Sequence, residues 1–512
     1  MTESGFPQFD ELFSMLREPA AVRERIALDW IALLTDAGLT RLLSGILELQ
    51  ASGPVPEGRL ADVFRQLCVR ARSQHAQPLS AESREMLLRL YAGLGPGSHA
   101  RSLLLQVLAT AQQPDDLRAF SATMTEDPPT DRNDVGVALA PLFQLRAYDP
   151  ALVFPTLLGA MSHPSVAAPI MDLCNYLTRE GRVPQHPAAT RKHELQALLG
   201  DLVQRLEKLA ENEETEPAAL KDRARQVDDG VSLIVALCDA CALVGDKEAV
   251  GKLHQAFELK HRRVRTEAAA ALARLGETDG EKSLVALAAE PVCRLRVLAY
   301  AEELGLLDRV AAEHQTLSAR AEADLALWLA QPSQVGIPPE GLELVDERLQ
   351  YWPGYDDPVE CYLFRFTYSL ANGQYSNIGI AGPLTHAFSA DLGDLGPDDI
   401  YAAFAGWDAQ HEEIVERDVA GLPGPEQAEA ARLARRIRDN GYSSIEPLLL
   451  GSFFGDRFLV ARATRDSSSG IAVADAQDVW WFASAGKVLA LGPVEASCIY
   501  KGRKLLRSFN VQ

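Results

Sequence analysis

The pattern of apolar and polar residues predicts one helix after another over the first two thirds of the chain. Apolar residues recur at helical spacing in short segments, of which the clearest are 26–34, 42–49, 60–68, 86–94 and 103–110. Runs of β-branched residues and hairpin signals are scarce there. Short amphipathic helices bury their apolar stripes on one another, so the pattern predicts stacked helix pairs.

The pattern changes after Ala330. Residues 331–340 contain consecutive prolines and a glycine, which cannot continue a helix and predict a linker. Aromatic and β-branched residues then become frequent, and helical spacing returns at 397–415 and 425–440. Residues 361–370 alternate like a strand, 371–374 form a hairpin turn, and 375–381 are the return strand. Three further segments are strand candidates: 458–465, 470–474 and 479–483.

These elements predict a mostly α fold, in which an α-α superhelical solenoid is followed by a smaller α+β domain with an antiparallel sheet. Residues 1–330 form the helical domain, with an acidic insertion at about 206–224. Residues 331–340 are the linker, and residues 341–512 form the α+β domain.

Internal repetition supports the solenoid. Four pairs of residues recur at a spacing of 31: Arg263 and Arg294, Arg265 and Arg296, Gly245 and Gly276, and Leu253 and Leu284. Each unit reads as a helix, a glycine that ends it in the left-handed conformation, an acidic turn and a second helix. Over about 231–307 the chain resembles the HEAT-like repeats of the phycobilisome-lyase type. That resemblance implies a superhelix with an extended surface for binding another protein.

The charge balance narrows the classes of partner. The chain of 512 residues has 50 basic and 71 acidic residues, a net charge of −21, and residues 341–512 contain 24 acidic against 15 basic ones. An acidic surface repels nucleic acid and anionic membranes. No run of about 18 apolar residues is present, so the sequence predicts no membrane partner.

The cysteines indicate a reducing compartment. The chain has seven, an odd number, and residues 1–10 lack the features of a signal peptide, so we expect a cytoplasmic protein. Cys238 and Cys241 form a C-x-x-C pair inside the apolar helical segment 231–244. With no second pair or neighbouring histidines, core packing is the favoured interpretation over a metal or redox site. No cofactor is expected.

Four arginines at repeat spacing, Arg263, Arg265, Arg294 and Arg296, form the first candidate site. They either pair with acidic residues of a neighbouring repeat or form a basic ridge that binds an anion.

A second candidate consists of Asp408, His411 and Glu412, which would share one face of a helix over 397–415. With a further ligand such as His386 they could hold a divalent metal. A hydrated helix face is the favoured interpretation, so no metal is predicted.

The third candidate is a set of loops rich in glycine, aromatic and acidic residues. Such loops either form a recognition rim or only shape turns; the residues selected are Tyr355, Asp356, Asn377, Phe454 and Asp456. The basic segment 501–507 either pairs with the acidic residues 391–399 or holds an acidic partner.

No catalytic motif, such as G-x-S-x-G or a phosphate-binding glycine loop, is present. The sequence therefore favours a scaffold or adaptor that binds another protein, with the α+β domain as a second binding or sensing module. One alternative is an enzyme or cofactor-handling protein like the lyases that share such repeats. The other is a repair protein that binds nucleic acid, which the net charge disfavours.

Overall fold

A computed structural model describes residues 8–17, 27–73, 77–144, 148–211, 217–370, 373–382, 386–483 and 491–510. Contacts between Cα atoms divide the chain into two compact units, unit 1 (Met1–Leu284) and unit 2 (Val285–Gln512). The limits near residues 330 and 341 that the sequence predicts stay predictions. None of the helices in the described ranges has the length and apolar character of a membrane span.

Unit 1 is helical throughout its described residues. Its helices are α1 (Gln8–Arg17), α2 (Asp36–Ser52), α3 (Glu57–Arg72), α4 (Ala81–Gly93), α5 (His99–Ala111), α6 (Pro114–Glu126), α7 (Arg132–Leu139), α8 (Pro164–Arg179), α9 (Lys192–Glu211), α10 (Pro217–Val244), α11 (Val250–Glu258), α12 (Arg262–Arg274) and α13 (Thr278–Ala286), whose last two residues belong to unit 2. The predicted helix at 26–34 is instead a short 3₁₀ helix, Asp29–Leu33. The predicted acidic insertion falls on α9 and α10 and, at 212–216, outside the described residues.

The helices of unit 1 pack in two layers. In the first layer α3, α5, α7, α8, α10 and α12 contact one another in that order, and α2, α4, α6, α9 and α11 form the second layer. Side chains from both layers meet in one continuous apolar core that runs from Phe9 to Leu275. Each fully buried leucine in it contributes roughly 1.5–3 kcal/mol.

Glycines end several of these helices in the way that the repeat pattern predicts. Gly245, Gly276 and Gly305 have φ of 68°, 87° and 67°, values that favour a residue without Cβ. After each glycine the next backbone N–H donates to a carbonyl five residues earlier, as Glu277 does to Leu272 at 3.0 Å. This bond closes the helix end in a Schellman motif.

Within its described residues, unit 2 contains two antiparallel sheets and, after α13, five α-helices. In chain order these elements are α14 (Pro291–Glu303), α15 (Leu317–Leu329), β1 (Gly341–Gln350), β2 (Val359–Leu370), β3 (Gly373–Ala381), β4 (Ala387–Ser389), α16 (Pro397–Asp408), β5 (Ile414–Asp418), α17 (Gly424–Asp439), β6 (Ser443–Phe453), β7 (Asp456–Arg465), β8 (Ser468–Ala474), β9 (Val479–Ala483) and α18 (Pro493–Phe509). Sheet A has the order β1-β2-β3-β4, and sheet B has the order β5-β6-β7-β8-β9. The predicted fold class, mostly α with an α+β domain after the helices, is confirmed.

Helices cover both faces of each sheet. The outer face of sheet A packs on α15 through Tyr362, Phe364 and Phe366, and the outer face of sheet B packs on α17 through Leu459 and Ala461. The inner faces of both sheets share one core with α16 and α18. The layers therefore run α15, sheet A, α16 with α18, sheet B, α17.

The same order of elements, helix, four strands and helix, occurs twice in unit 2. The first half runs from α15 to α16, and the second half runs from α17 to α18. The central helices start in the same way, with Gly396 and Pro397 in α16 and Gly492 and Pro493 in α18. Strand β5 is an addition to the second half, because the first half has no strand at the corresponding edge within the described residues.

The central helices cross closely and reciprocally. A Cβ atom on Gly406 would lie 2.0 Å from the carbonyl oxygen of Cys498, and one on Gly502 would lie 1.7 Å from that of Ala402. Ala402 and Gly406 stand at the same positions in α16 as Cys498 and Gly502 do in α18. Each helix thus uses its glycine against the backbone of the other.

Several predicted elements need correction. The five predicted strands are present, but β1, β4, β5, β6 and α18 were not predicted. The helix predicted at 397–415 is wrong beyond Asp408, where the chain leaves the helix and enters β5 at Ile414. The predicted hairpin turn at 371–374 lies partly outside the described residues, because residues 371–372 are not described.

Candidate binding groove

The clearest candidate site lies on the first layer of unit 1. A groove of about 530 Å³ crosses α7, α8, α10 and α12; we call it the α7–α8 groove. Its lining residues are Arg132, Asn133, Gly136, Val137, Leu139, Ala140, Phe143, Ala168, Pro169, Asp172, Ser232 and Arg263.

The floor of the groove is formed by the short helix α7, which begins and ends inside the groove, and it is apolar. The side chain of Asp131 accepts the N–H of Asn133 at 2.8 Å and starts the helix, as an N-cap. The exposed side of α7 presents Gly136 and Val137, and Ala140 follows at the start of the next 3₁₀ helix; all three are small. A Cβ atom on Gly136 would meet nothing within 4 Å, so the groove is open at this point.

One wall of the groove is held by Arg132. Its guanidinium donates to Ser232 Oγ at 2.6 Å and pairs with Asp228 at 2.7 Å and with Asp229 at 3.5 Å. This arginine also lines a second cleft of about 660 Å³ on its other side, where Arg205 and Arg225 lie. Arg132 is fully engaged within the protein, so it shapes the groove.

The polar groups available to a ligand are Asp172 and Arg263. Asp172 reaches solvent, yet protein surrounds it on most sides. Burial raises the pKa of Asp172 to about 6; the charge of Arg263 opposes this rise, and the charge of Asp239 adds to it. Arg263 is exposed and forms no hydrogen bond or ion pair with any described residue. The groove thus combines an apolar floor with two charged groups: the carboxylate of Asp172, whose charge is only weakly compensated by neighbouring cations, and the guanidinium of Arg263, which is available to a ligand.

The four predicted arginines have different environments. Arg263 lines the groove, and Arg265 lies over the ring of Phe257 at 5.5 Å. Arg296 lies over Tyr300 at 4.6 Å. Arg294 is buried, donates to the carbonyl oxygens of Ala288 and Ala319 at 2.8 Å each, and pairs with Glu322 of the next helix. Arg294 therefore pairs with an acidic residue of a neighbouring helix, as the first of the two alternatives predicts. This side chain does not belong to an exposed basic ridge.

The three candidate metal ligands do not share a helix face, so that prediction is wrong. α16 ends at Asp408, whose carboxylate accepts the indole N–H of Trp352 at 2.9 Å. His411 and Glu412 follow in a turn, where His411 accepts the N–H of Glu413 at 3.1 Å and packs against Phe454. Within the described ranges, no three His, Cys, Asp or Glu side chains are placed to hold a metal ion.

The selected loop residues belong to different parts of unit 2. Tyr355 and Asp356 lie between β1 and β2, with Tyr355 half-buried against the central core and Asp356 exposed. Asn377 lies within β3, opposite Phe366. Phe454 forms the turn between β6 and β7 with φ of 46°, and Asp456 pairs with Lys504 at 2.9 Å. Of these, Phe454 has the largest exposed apolar surface.

The predicted basic segment is part of helix α18 and pairs within the protein. Arg503 pairs with Asp399, and Lys501 pairs with Glu416 at 2.6 Å. Lys504 pairs with Asp475 at 3.0 Å; burial lowers its pKa, but the hydrogen bonds that its ammonium donates to Tyr500, Asp456 and Asp475 outweigh this and raise the pKa. The predicted pairing with residues 391–399 is observed for Arg503, whereas Lys501 and Lys504 pair with acidic residues outside that segment.

The C-x-x-C pair lies in the interior of α10, where both thiols are buried and free. Burial raises the pKa of the Cys241 thiol to about 12 and raises that of the Cys238 thiol well above its ordinary value. A thiol held in the protonated form is a poor nucleophile and metal ligand. The pair therefore packs the core.

Sequence reasoning missed most of the groove. Arg132, Asp172 and Arg263 stand far apart in the chain, and only the stacking of α7 on α8, of α8 on α10 and of α10 on α12 brings them together. One usable signal was present, because Asp131 is an N-cap residue before an apolar run at helical spacing. No family model, curated protein or solved structure matches this chain.

Proposed function

We propose that the protein is a scaffold that binds a segment of another protein in the α7–α8 groove. The supporting observation is the apolar floor of this groove beside Asp172 and Arg263, two charges that the described residues leave largely available. Stacked helix pairs commonly expose such extended binding surfaces. We further propose that unit 1 is a HEAT-like repeat domain, on the basis of its two helical layers and its repeated glycine-capped helix ends.

The partner segment that fits this groove is amphipathic. Apolar side chains on it would pack on Val137, Ala140 and Phe143, and these contacts would supply most of the free energy of binding. A basic side chain would pair with Asp172, and an acidic one with Arg263. Both charges lie beside apolar surface, so they select for the register of the segment more than they add affinity.

A substitution that fills the groove tests this proposal. Gly136→Trp places a large side chain where a Cβ atom would meet nothing within 4 Å, so the fold is preserved while the floor is covered. Gly251→Trp is the matched control, because Gly251 is an exposed helical glycine of the second layer with equally open space around it. The full-length wild type and both variants would be purified from the native cells, and their partners identified by mass spectrometry.

We expect one protein to be recovered in stoichiometric amount with the wild type and with the Gly251→Trp variant, and to be lost with Gly136→Trp. The same ranking is expected when that partner is purified and titrated against the three proteins, with at least a tenfold weaker Kd for Gly136→Trp. Equal binding by all three proteins, or a wild type that recovers no partner, would contradict the proposal.

We also propose a cytoplasmic location. All seven cysteines are free and buried, which is typical of proteins in a reducing compartment. The enzyme and nucleic-acid alternatives stay predictions, because no specific observation in the described residues favours either one.

A further inference from the structure

The two halves of unit 2 differ at one sheet edge, the edge next to the first strand of each half. In each half the first strand has an irregularity in its register, between Leu344 and Asp346 in β1 and between Pro447 and Leu449 in β6. Five residues follow this irregularity in each strand, Asp346 to Gln350 in β1 and Leu449 to Phe453 in β6. These two stretches are therefore equivalent.

In the second half this stretch is covered by a strand. β5 pairs with it antiparallel over its whole length, from Ile414 opposite Phe453 to Asp418 opposite Leu449. In the first half, β1 pairs with β2 alone and is the edge strand of sheet A within the described residues. The stretch from Asp346 to Gln350 thus has the geometry of a covered edge without its covering strand.

The side chains on this edge do not protect it well against pairing with another strand. Leu349 is 65% exposed. Glu347 and Glu360 lie beside it on the same face of sheet A, and neither forms an ion pair with any described residue. Arg348, the one basic side chain here, points to the other face and pairs with Asp346 and Asp398. The edge strand therefore presents an apolar side chain and the carboxylate of Glu347, with the carboxylate of Glu360 beside them on β2.

The residue directly after β1 shows that main-chain groups here accept a peptide-like partner. The side-chain amide of Asn510 pairs with both main-chain groups of Tyr351: its oxygen accepts the N–H at 2.8 Å, and its nitrogen donates to the carbonyl oxygen at 3.2 Å. An amide that pairs in both directions reproduces what a neighbouring strand does.

We propose that the Asp346–Gln350 edge of β1 binds an extended segment of another protein as an additional strand of sheet A. The strand β5 indicates the chemistry of that segment. On the α17 face of sheet B, β5 presents Val415 and, two residues later, Arg417. At the equivalent positions on sheet A, an apolar side chain would contact Leu349, and a basic one would pair with Glu347, while Glu360 of β2 adds negative charge on the same face. The partner sequence is therefore apolar-x-basic, read in the direction antiparallel to β1.

Main-chain hydrogen bonds to the strand would supply affinity, and the two side-chain contacts would supply specificity, as in other cases of strand addition. Opposite charges across two strands stabilise the pair, whereas like charges destabilise it. This site lies in unit 2 and is independent of the α7–α8 groove.

The test uses the full-length protein and two synthetic peptides with blocked ends. The first is Thr-Val-Thr-Arg-Thr-Val-Thr, and the second has Glu in place of Arg. Hydrogen exchange monitored by mass spectrometry would report on the amides of β1 and, as an internal reference, on those of β5. We expect the arginine peptide to slow exchange in β1 and not in β5, and to bind about tenfold more tightly than the glutamate peptide.

Three variants distinguish strand addition from non-specific contact. Leu349→Lys should weaken binding of the arginine peptide about tenfold, whereas Leu33→Lys, at a leucine that is 84% exposed in unit 1, should leave it unchanged. Glu347→Lys should reverse the preference, so that the glutamate peptide binds more tightly. Binding that ignores these variants, or no protection of β1, would overturn the proposal. Protection of β1 that rises with protein concentration without peptide would also overturn it, because the occupant would then be a second copy of the chain.

Discussion

At the scale of single residues, His186 is a buried group with a defined protonation state. Its Nδ1 accepts the N–H of Ala188 at 3.1 Å, so Nε2 carries the proton and donates to Asn175 Oδ1 at 3.0 Å. Asn175 in turn donates to the carbonyl oxygen of Ala236 at 2.9 Å. The imidazole must be neutral to make these bonds, and it holds Asn175 of α8, whose amide bonds to α10.

Burial lowers the pKa of His186 to about 4, against an ordinary value of about 6.5 in an unfolded chain, although the charge of Asp239 opposes this shift. Between these two values the unfolded chain binds a proton that the folded chain excludes. The contribution of His186 to the free energy of unfolding therefore falls as the pH falls through this window, by up to about 1.4 kcal/mol per pH unit, whereas the raised pKa of Asp172 acts in the opposite direction.

We predict that His186→Gln, which removes the titrating group, makes the stability of α8 and α10 less sensitive to pH between about 6.5 and 4. Hydrogen-exchange protection of these helices, corrected for intrinsic rates, would be compared at pH 7 and pH 5. His254→Gln, at an exposed histidine of α11, is the control and should keep the wild-type dependence. An unchanged pH dependence in the His186 variant would show that other groups cause it.

At the scale of elements, the crossing of α16 and α18 depends on two glycines. A methyl group at Gly502 would lie 1.7 Å from the carbonyl oxygen of Ala402, a backbone atom that cannot move without shifting the helix. Overpacking of this kind typically costs about 1–3 kcal/mol. The crossing also carries much of the central core, since both sheets pack on these helices.

We predict that Gly502→Ala and Gly406→Ala each lower the free energy of unfolding by at least about 2 kcal/mol. Gly424→Ala is the control, because a Cβ atom there meets nothing within 4 Å at the start of α17, and it should be neutral or stabilising. Thermal unfolding followed by tryptophan fluorescence would report on this core through Trp352, Trp407 and Trp480. Equal melting temperatures for the three variants would contradict the role given to the crossing.

Some secondary-structure elements could be predicted from the sequence and others could not, for physical reasons that can be identified. The strands β2, β3, β7, β8 and β9 are rich in aromatic, β-branched and small apolar residues, because helices cover both faces of each sheet; Phe458 to Ala461 and Gly470 to Ala474, for example, are buried throughout. β1 is rich in charged residues, as an edge strand commonly is, and β6 contains Pro447 at a register irregularity, where a missing N–H is tolerated. The composition of these two strands is less typical of a strand, so sequence reasoning did not detect them.

The features of the candidate sites also divide into those that the local sequence could predict and those that it could not. The repeat spacing correctly located glycine-capped helix ends, because a positive φ is a local requirement. It could not distinguish Arg294, which is buried against Glu322, from Arg263, which is exposed, because burial depends on helices remote in sequence. For the same reason no local signal connected Arg132 with Asp172.

At the scale of the whole molecule, α15 is a structural part of the sheet that follows it. It covers Tyr362, Phe364, Phe366 and Tyr368 on the outer face of sheet A, and residues 331–340 pass between the helix and β1. A division of the chain in that linker would expose these four aromatic side chains. Exposed apolar patches of this kind promote aggregation.

We predict that a fragment beginning at Pro291 is monodisperse, whereas one beginning at Gly341 aggregates and binds a hydrophobic dye. Both fragments contain the two sheets with α16, α17 and α18, so they differ only in α14, α15 and the linker. Size-exclusion chromatography and dye fluorescence would compare them at equal concentration. A monomeric fragment from Gly341 with native circular dichroism would show that sheet A does not need α15.

The paired halves of unit 2 have a consequence for how the domain assembles. Two separate copies of a helix, four strands and a helix would have to find each other in solution, and their association would depend on protein concentration. Joined in one chain, they meet at a high effective concentration whatever the expression level. A symmetric pair of identical copies must also present every surface twice. Because the two halves are joined in one chain, they do not have to present identical surfaces. One half can therefore cover its edge strand with β5, while the other keeps the equivalent strand β1 accessible.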